Sequence, residues 1–199
     1  MDTNQQLDYI AMENGRSTAL IELLKAKFGA QLLSAAVELG DAVVEIKRPE
    51  MLAFFQLLRL DSDLAFNMCI SVTATDYVDS RPERFEMVYH MLSLTNLYRL
   101  RIKIAIPEEA AEVDSIMSFW PGANFMEREV WDMYGIRFAG HDDLRRILMY
   151  EEFVGHPLRK DYPVQGKQPR VALRAPEVRN TAVDMQRGDL VRIGGRIKT

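Results

Sequence analysis

Three segments of the sequence decide the fold: FNMCISVTA at 66–74, RFEMVYHML at 84–92 and YRLRIKIAI at 98–106. In each segment apolar side chains occupy alternate positions, with mainly polar or charged side chains between them. The apolar rows are Phe66, Met68, Ile70, Val72 and Ala74; Phe85, Met87, Tyr89 and Met91; and Tyr98, Leu100, Ile102, Ile104 and Ile106. This alternation is typical of strands that bury one face. The sequence therefore predicts a three-stranded antiparallel meander with helices covering its apolar face.

The residues before the meander predict a helix, a hairpin and a second, shorter helix. Apolar residues at helical spacing follow Ser17 and end at Gly29, a residue type that commonly terminates helices. Gly40-Asp41 separates two short apolar runs and predicts a two-residue hairpin turn. A strongly apolar helix is expected over 51–60. The stripe of the first helix consists of Leu20, Ile21, Leu24 and Phe28.

Two further helices are predicted after the meander. The first opens at Pro107 with two acidic residues, as the helix dipole favours, and ends at Pro121-Gly122. The second begins at Asn124, has Glu127 as a capping-box partner and ends at Gly135. The apolar stripe of the first consists of Val113, Ile116, Met117 and Trp120.

These elements predict an α+β fold, with an antiparallel or mixed sheet, helices covering one face and an extended C-terminal arm. Residues 1–16 are polar and are expected to form a flexible N-terminus. Residues 17–154 are expected to form the α+β domain and residues 155–199 the basic extended arm. The arm lacks periodicity apart from weak strand signals near 171–173 and 190–193.

The charge of the chain is distributed unevenly. Before residue 155 there are 15 Lys and Arg against 25 Asp and Glu, and from there on 10 against 4. The net charge of −4 therefore divides into −10 for the domain side and +6 for the arm. A basic segment with so little apolar surface does not fold alone. We expect the arm to order along a partner protein.

Several functions are excluded by what the sequence lacks. Cys69 is the single cysteine, so the chain has neither a disulfide framework nor a thiolate cluster of its own. It has no phosphate-binding glycine motif and no hydrolase nucleophile motif. No apolar run approaches the roughly 20 residues that span a bilayer, and the start of the chain does not resemble a signal peptide. We expect a soluble protein of a reducing compartment.

Two histidines and the cysteine are candidates for chemistry. His141 and His156 lie near carboxylates, which makes a metal site conceivable, but no known ligand spacing is present. The spacing favours structural hydrogen bonds for both rings. Cys69 lies among small polar residues and is more typical of a buried small residue than of a nucleophile.

A row of basic residues, Arg99, Arg101 and Lys103, follows one face of the third strand of the meander. Such a row could bind nucleic acid, but no aromatic residues lie between its members to stack on bases. We expect a solvated sheet face on which Glu86 of the neighbouring strand pairs with the basic residues.

Charged and aromatic residues are most concentrated in EREVWDMYG at 127–135. Glu129 and Asp132 are neighbours on a helix, and two close carboxylates could form a general acid–base pair. Alternatively, Arg145 and Arg146 bind these acids and hold the following loop on the helix. The second alternative is favoured because no nucleophile, metal or cofactor motif accompanies the acids. Aromatic residues beside arginines are also typical of protein interfaces.

The run from Glu127 to Gly166, EREVWDMYGIRFAGHDDLRRILMYEEFVGHPLRKDYPVQG, resembles the signature region of a known family. This family is the thirty-kilodalton subunit of respiratory complex I, also called the C subunit of NADH–quinone oxidoreductase. Counterparts are present for its E-R-E-x-x-D, G-H-x-D-L-R-R-I-L and G-H-P-L-R-K-D-Y-P elements. The counterparts expected at subunit interfaces are Glu127, Arg128, Glu129, Asp132, Tyr134, His141, Asp143, Arg145, Arg146, His156, Arg159, Lys160, Asp161 and Tyr162.

The resemblance implies a structural and assembly subunit in the peripheral arm of a proton-translocating NADH–quinone oxidoreductase of the respiratory chain. Such a subunit has no catalytic, cofactor-binding or metal-binding residues, and FMN, iron–sulfur clusters and quinone belong to partner subunits. It packs against the forty-nine-kilodalton (D) subunit, which helps form the quinone site, and against neighbouring iron–sulfur subunits. It binds no nucleic acid and lies peripherally on the cytoplasmic side of the bacterial inner membrane, touching the membrane only through the complex.

Two alternatives remain open at this point. The chain could be the equivalent subunit of a membrane-bound hydrogenase or of a deazaflavin dehydrogenase complex, which have subunits of the same type. A stand-alone metal-dependent hydrolase would instead use Glu129, Asp132, His141 or His156 around a metal. The missing ligand spacings disfavour the hydrolase.

Overall fold

The computed structural model describes residues 3–170, and within that range the side chains of residues 14–29 and 31–170. Its helices and strands are α1 Thr3–Phe28, β1 Leu32–Glu38, β2 Asp41–Ile46, α2 Met51–Leu60, β3 Met68–Asp76, β4 Phe85–Ser93, β5 Tyr98–Ile106, β6 Glu112–Asp114, α3 Ala123–Tyr134 and β7 Arg137–Ala139. The predicted α+β class is confirmed.

The main sheet contains five strands in the order β1-β2-β5-β4-β3. Strands β3, β4 and β5 form the predicted antiparallel meander. β1 and β2 form an antiparallel hairpin, whereas β2 lies parallel to β5, so that the sheet is mixed. Parallel neighbours need a long connection, which here runs through α2, β3 and β4. β6 and β7 pair in parallel as a separate two-stranded sheet.

One hydrophobic cluster of described residues joins the helices to one face of the sheet. The predicted stripe of α1 is buried, as is the apolar side of α2. The ring of Phe55 on α2 contacts Tyr89 and Trp120 edge-on, with centroids 4.9 and 5.8 Å away. Each large apolar side chain buried here stabilises the fold by about 1.5–3 kcal/mol relative to leaving it exposed.

Strand β3 departs from the predicted alternation in its first half. A bulge after Cys69 makes Ile70 an extra residue in the pairing with β4. Because a bulge reverses which residues face the core, Met68 and Ile70 are 45% and 43% exposed, whereas Val72 and Ala74 are buried. The prediction that Met68 and Ile70 belong to the buried row was wrong.

The prediction of a helix from Pro107 to Pro121 was also wrong. The structure has a 3₁₀ turn at Glu108–Ala110, followed by strand β6. Val113 is buried, but it lies opposite Phe138 of β7 in a parallel pair. Its strand partner comes from beyond α3, and the local pattern contains no information about it.

The start of helix α1 and the position of the hairpin turn differ from the predictions. Helix α1 begins at Thr3, so that residues expected to be flexible are helical. The hairpin turn is Leu39-Gly40, since Glu38 pairs with Asp41. Both turn residues have positive φ, 52° and 93°, as the favoured two-residue hairpin turns require.

The compact unit continues past the boundary expected at residue 154. The described residues up to Gln168 group into one compact unit. Within this unit, residues 155–162 make hydrogen bonds to α3 and to the sheet. The weak strand signals near 171–173 and 190–193 lie outside the described residues.

Candidate functional site

Helix α3 and residues 141–164, called here the signature loop, contain the densest polar contacts of the described structure. Helix α3 ends at Gly135, whose φ of 81° is left-handed. The ring of His156 packs against this glycine, and a Cβ there would lie 2.7 Å from Cδ2 of the ring. Glycine is therefore required for its conformation and for the close approach of the loop.

Asp132 is the centre of the first cluster. Its side chain is completely enclosed, and Oδ1 lies 2.5 Å from Nη1 of Arg146. Oδ2 accepts the backbone N–H groups of Ile147, Leu148 and Met149 at 3.1, 2.8 and 2.8 Å. Burial alone would raise the pKa of Asp132, but the three amides and Arg146 outweigh it and hold that pKa below its usual range. The helix thus presents a permanent anion that orders the loop backbone.

Two arginines complete this attachment. Nη2 of Arg146 donates to the carbonyls of Phe153 and Gly155 at 2.9 and 3.0 Å. From the helix, Arg128 donates through Nε and Nη2 to the carbonyls of Arg145 and Arg146, both at 3.2 Å. These bonds satisfy backbone carbonyls in a segment that has no strand or helix to pair them.

A second cluster joins the end of the signature loop to the sheet. Arg84 binds Asp76 at the end of β3 through two parallel hydrogen bonds, Nε to Oδ1 at 2.9 Å and Nη2 to Oδ2 at 2.8 Å. Its Nη1 also donates to Glu108 at 2.7 Å and to Asp161 at 3.0 Å. The backbone N–H of Lys160 donates to Oδ2 of Asp76 at 2.8 Å. Two-pronged arginine–carboxylate pairs are among the strongest hydrogen-bonded contacts in proteins.

Arg159 extends the second cluster. Its Nη2 donates to Glu108 at 2.6 Å and to Asp161 at 2.9 Å. Arg159, and after it Arg84, hold the pKa of Asp161 far below its usual range. Burial would raise the pKa of Asp76, but Arg84 and backbone amides bring it below the usual range. Both aspartates are therefore anions at neutral pH.

The two candidate histidines make structural hydrogen bonds. Nδ1 of His156 donates to the carbonyl of Asp132 at 2.9 Å. Nδ1 of His141 accepts the N–H of Asp143 at 3.1 Å, and its Nε2 lies 3.3 Å from the carbonyl of Asn124. Between residues 3 and 170, no group of three or more His, Cys, Asp or Glu side chains is placed to hold a metal ion. The contacts fit the structural alternative for both rings.

Glu129 and Asp132 have different surroundings in the structure, and so do Arg145 and Arg146. Asp132 is enclosed by the loop, whereas Glu129 is exposed on the same helix, so the two do not form an acid–base pair. Arg146 binds Asp132, whereas the side chain of Arg145 is 69% exposed and pairs with Asp143 at 2.9 Å. The alternative in which arginine holds the loop on the helix therefore applies to Arg146 and Asp132.

Three residues of the second cluster were missed by the sequence analysis. Asp76, Arg84 and Glu108 lie at strand ends, where a charged residue is common and carries no motif. The one available signal was the position of Asp76 and Arg84 at the two sides of the β3–β4 connection, which antiparallel pairing brings together.

The basic row lies on the open face of the sheet, and two of its three members are paired within the domain. Arg101 and Lys103 lie 3.9 and 3.4 Å from Glu38 of β1. The expected partner Glu86 binds Arg81 instead, at 2.7 Å, so that part of the prediction was wrong. Charges satisfied in this way fit a solvated sheet face.

The signature loop presents several apolar side chains to solvent. The exposed aliphatic residues, called here the outer loop surface, are Ile147, Leu148, Val154, Leu158 and Val164. The first cluster holds the loop backbone at residues 147–149, and the second holds it at Lys160. Exposed apolar side chains mark protein interaction sites where they form a contiguous patch.

The chain forms a small α+β domain, and its two buried ion-pair clusters hold the signature loop against α3 and the sheet. A catalytic acid or base needs a pKa matched to the working pH, whereas Asp132, Asp76 and Asp161 are shifted away from it. The class is that of an α+β domain in which two ion-pair clusters hold a loop on a helix and a sheet.

Comparison with known proteins gives the family. Residues 44–168 match the family described as respiratory-chain NADH dehydrogenase, 30 Kd subunit, and the chain belongs to this family. The C subunit of the NADH-quinone oxidoreductase of Geobacter metallireducens is 44% identical over 143 residues, which are 72% of this chain and 87% of that protein. Its counterpart in Geobacter sulfurreducens is 42% identical over 154 residues, 77% of this chain and 92% of the relative.

Solved structures share the fold. A trypsin-resistant fragment of Nqo5 is 30% identical, with a TM-score of 0.56 over 65% of this chain and 99% of the fragment. A chain of an archaeal membrane-bound sulfane sulfur reductase has a TM-score of 0.65 at 20% identity, which shows a shared fold alone. In the described range of this chain, no helix has the length and apolar composition that crossing a bilayer requires.

Proposed function

We propose that the chain is a structural subunit of an NADH–quinone oxidoreductase, to which it contributes a docking surface and no redox centre. The observation that carries this proposal is the exposed apolar outer loop surface, which two ion-pair clusters hold in place. The two Geobacter relatives, at 44% and 42% identity, support the identity of the complex. The single cysteine supports placing flavin and iron–sulfur clusters in partner subunits.

The outer loop surface packs against the forty-nine-kilodalton subunit in the peripheral arm of the complex. An apolar centre with an exposed arginine at its edge, here Arg145, is the usual composition of such an interface. A surface whose backbone is already ordered loses less conformational entropy on binding. An ordered loop should therefore bind its partner more tightly than a flexible loop with the same side chains.

Purification of a tagged copy from its native cells tests the proposal. We expect flavin- and iron–sulfur-containing subunits to copurify with it, together with NADH–quinone oxidoreductase activity, from the membrane fraction. Copurification of hydrogenase subunits would overturn the assignment of the complex. Recovery of the chain alone, from cells that contain the complex, would overturn the structural role.

Arg145→Ala should impair assembly more than folding. The Arg145 side chain is 69% exposed and holds no backbone group of the loop, so its loss should leave the free energy of unfolding nearly unchanged. Interface arginines often dominate binding, and we expect at least about fivefold less of this protein in the purified complex. Quantitative blotting of the complex measures this.

Asp142→Ala is the matched control, because Asp142 is a second exposed charged residue close in sequence. It should assemble at the wild-type level. Equal incorporation of Arg145→Ala and wild type would contradict the role of Arg145 at the interface.

We also propose that the basic C-terminal residues order along a neighbouring subunit. Deletion of 171–199 retains Gln168, whose side chain binds the backbone of Val154. The shortened chain should unfold at the wild-type urea concentration but enter the complex less efficiently. Incorporation at the wild-type level would contradict a partner-binding role for this segment.

A further inference from the structure

Glu127 differs from the other enclosed acids of the described structure. The side chains of Asp76, Asp132 and Glu127 have no exposed surface. Asp76 and Asp132 each face an arginine. Within the described residues, no lysine or arginine lies at ion-pair distance from Glu127. A buried carboxylate without a cation destabilises the fold, so Glu127 should bind a proton more readily than Asp76 and Asp132 do.

The contacts of Glu127 come from the segment after β6. The hydroxyl of Ser115 lies 2.6 Å from Oε2, and the N–H of Ile116 donates to Oε1 at 2.8 Å. Ser115 Oγ in turn accepts the N–H of Met117 at 3.2 Å. Glu127 on α3 therefore holds the turn that leads from the two-stranded sheet to the core.

His141 is the ring closest to this carboxylate, with Nε2 3.9 Å from Oε2 of Glu127. Its Nδ1 accepts the N–H of Asp143, so the ring proton lies on Nε2, towards the carbonyl of Asn124. Both ring nitrogens of His141 therefore lie against backbone groups, and neither is within hydrogen-bond distance of the Glu127 carboxyl group.

The sheet side adds no positive charge either. Cys69 on β3 and Tyr89 on β4 face Glu127, and Asp114 on β6 interacts with Tyr89. Burial raises the pKa of the Cys69 thiol to about 12, so it stays neutral and is no nucleophile. The Tyr89 hydroxyl is enclosed and, among described residues, has no hydrogen-bond partner. Burial in these surroundings raises the pKa of Glu127 to about 7.

We propose that Glu127 is a proton-binding latch, whose proton uptake from solvent sets how firmly helix α3 holds the turn at residues 115–117. The hydroxyl of Ser115 and the N–H of Ile116 both donate to the carboxyl group and favour its ionised form, but burial outweighs these two bonds. The ionised form therefore keeps both contacts but is an unpaired charge in the core.

The sign of the pH dependence follows from linkage. The folded state binds this proton more tightly than the unfolded chain, whose glutamate has its ordinary value near 4.5. The stabilisation is therefore complete below about 4.5 and is lost as the pH rises through about 7. The arginine-paired aspartates have the opposite dependence. The latch therefore weakens on the alkaline side of neutrality.

Glu127→Gln in the full chain tests the latch, because glutamine keeps the shape without the charge. Between pH 5.5 and pH 8, the unfolding equilibrium constant of wild type should rise roughly ten- to thirtyfold relative to that of Glu127→Gln. At pH 8 the variant should be the more stable protein. Glu129→Gln, an exposed acid on the same helix, should follow the wild-type curve.

A direct measurement does not depend on the variant folding. The ¹³C resonance of the Glu127 carboxyl in the labelled wild-type chain should titrate with a midpoint near pH 7. The amide of Ile116 should exchange faster above that midpoint. A carboxyl midpoint below pH 5, or a Glu127→Gln protein less stable than wild type at pH 8, would overturn the proposal.

Discussion

Asp132→Ala should lower the free energy of unfolding by about 3–5 kcal/mol, the typical cost of removing one partner of a buried ion pair. The substitution leaves Arg146 without its carboxylate and the N–H groups of residues 147–149 without an acceptor. The first half of the signature loop should then detach from α3. Urea unfolding measures the loss, and hydrogen exchange at the three amides measures the detachment.

Glu129→Ala is the control for this substitution. Glu129 is an exposed acid on the same helix, and its removal should change stability by less than about 0.5 kcal/mol. Equal losses in the two variants, or amides that stay protected in Asp132→Ala, would show that Asp132 does not hold the loop.

The lowered pKa of Asp132 also predicts how the wild-type loop responds to acid. A carboxylate with a depressed folded pKa stabilises the fold above its ordinary value, here 3.8, and loses that contribution as the pH falls through the folded value. Acid should therefore loosen the attachment at residues 147–149 in wild type. Asp132→Ala should lack this component at every pH.

Arg84→Met should cost about 3 kcal/mol or more, because it leaves the enclosed Asp76 carboxylate without its cation. The methionine fills a similar volume, so the loss reports the charge and its hydrogen bonds. Asp161 and Glu108 lose a shared donor at the same time. The second half of the signature loop should become mobile, and the amide of Lys160, which donates to Asp76, should exchange faster.

Lys25→Met is the control, since Lys25 forms an exposed ion pair with Glu22 on helix α1. Exposed pairs contribute little to stability, and this variant should unfold at nearly the wild-type urea concentration. If Arg84→Met behaves like Lys25→Met, the second cluster does not anchor the loop. The Asp132 and Arg84 clusters share no partner, so the losses of the two variants should add in the double variant.

Both anchors serve the proposed function in the same way. Ile147 and Leu148 of the outer loop surface are held by Asp132 itself, and Val154 and Leu158 lie between that anchor and Lys160, which binds Asp76. A variant that frees either half should therefore lose binding to its partner subunit along with stability. Arg145→Ala, by contrast, should lose binding alone. This difference separates the residues that position the surface from those that form it.

The sequence by itself determined the features that depend on neighbouring residues. The alternation in 84–92 and 98–106 places two central strands and their buried faces. The stripe from Leu20 to Phe28 and the glycine at 135 locate a buried helical face and a helix end. The single cysteine and the signature run pointed to the family, to which the chain belongs.

The tertiary structure alone decided the features that depend on residues far apart. Residues 112–114 form a strand and not a helix because they pair with β7, which lies beyond α3 in the sequence. Met68 and Ile70 are exposed because of a bulge in the pairing of β3 with β4. The same holds for the charged residues: Asp132 and Glu129 look alike in sequence, but one is enclosed by a loop and the other faces water. Periodicity reports which side of an element is apolar, whereas the partner of a buried charge is set by how the chain folds back on itself.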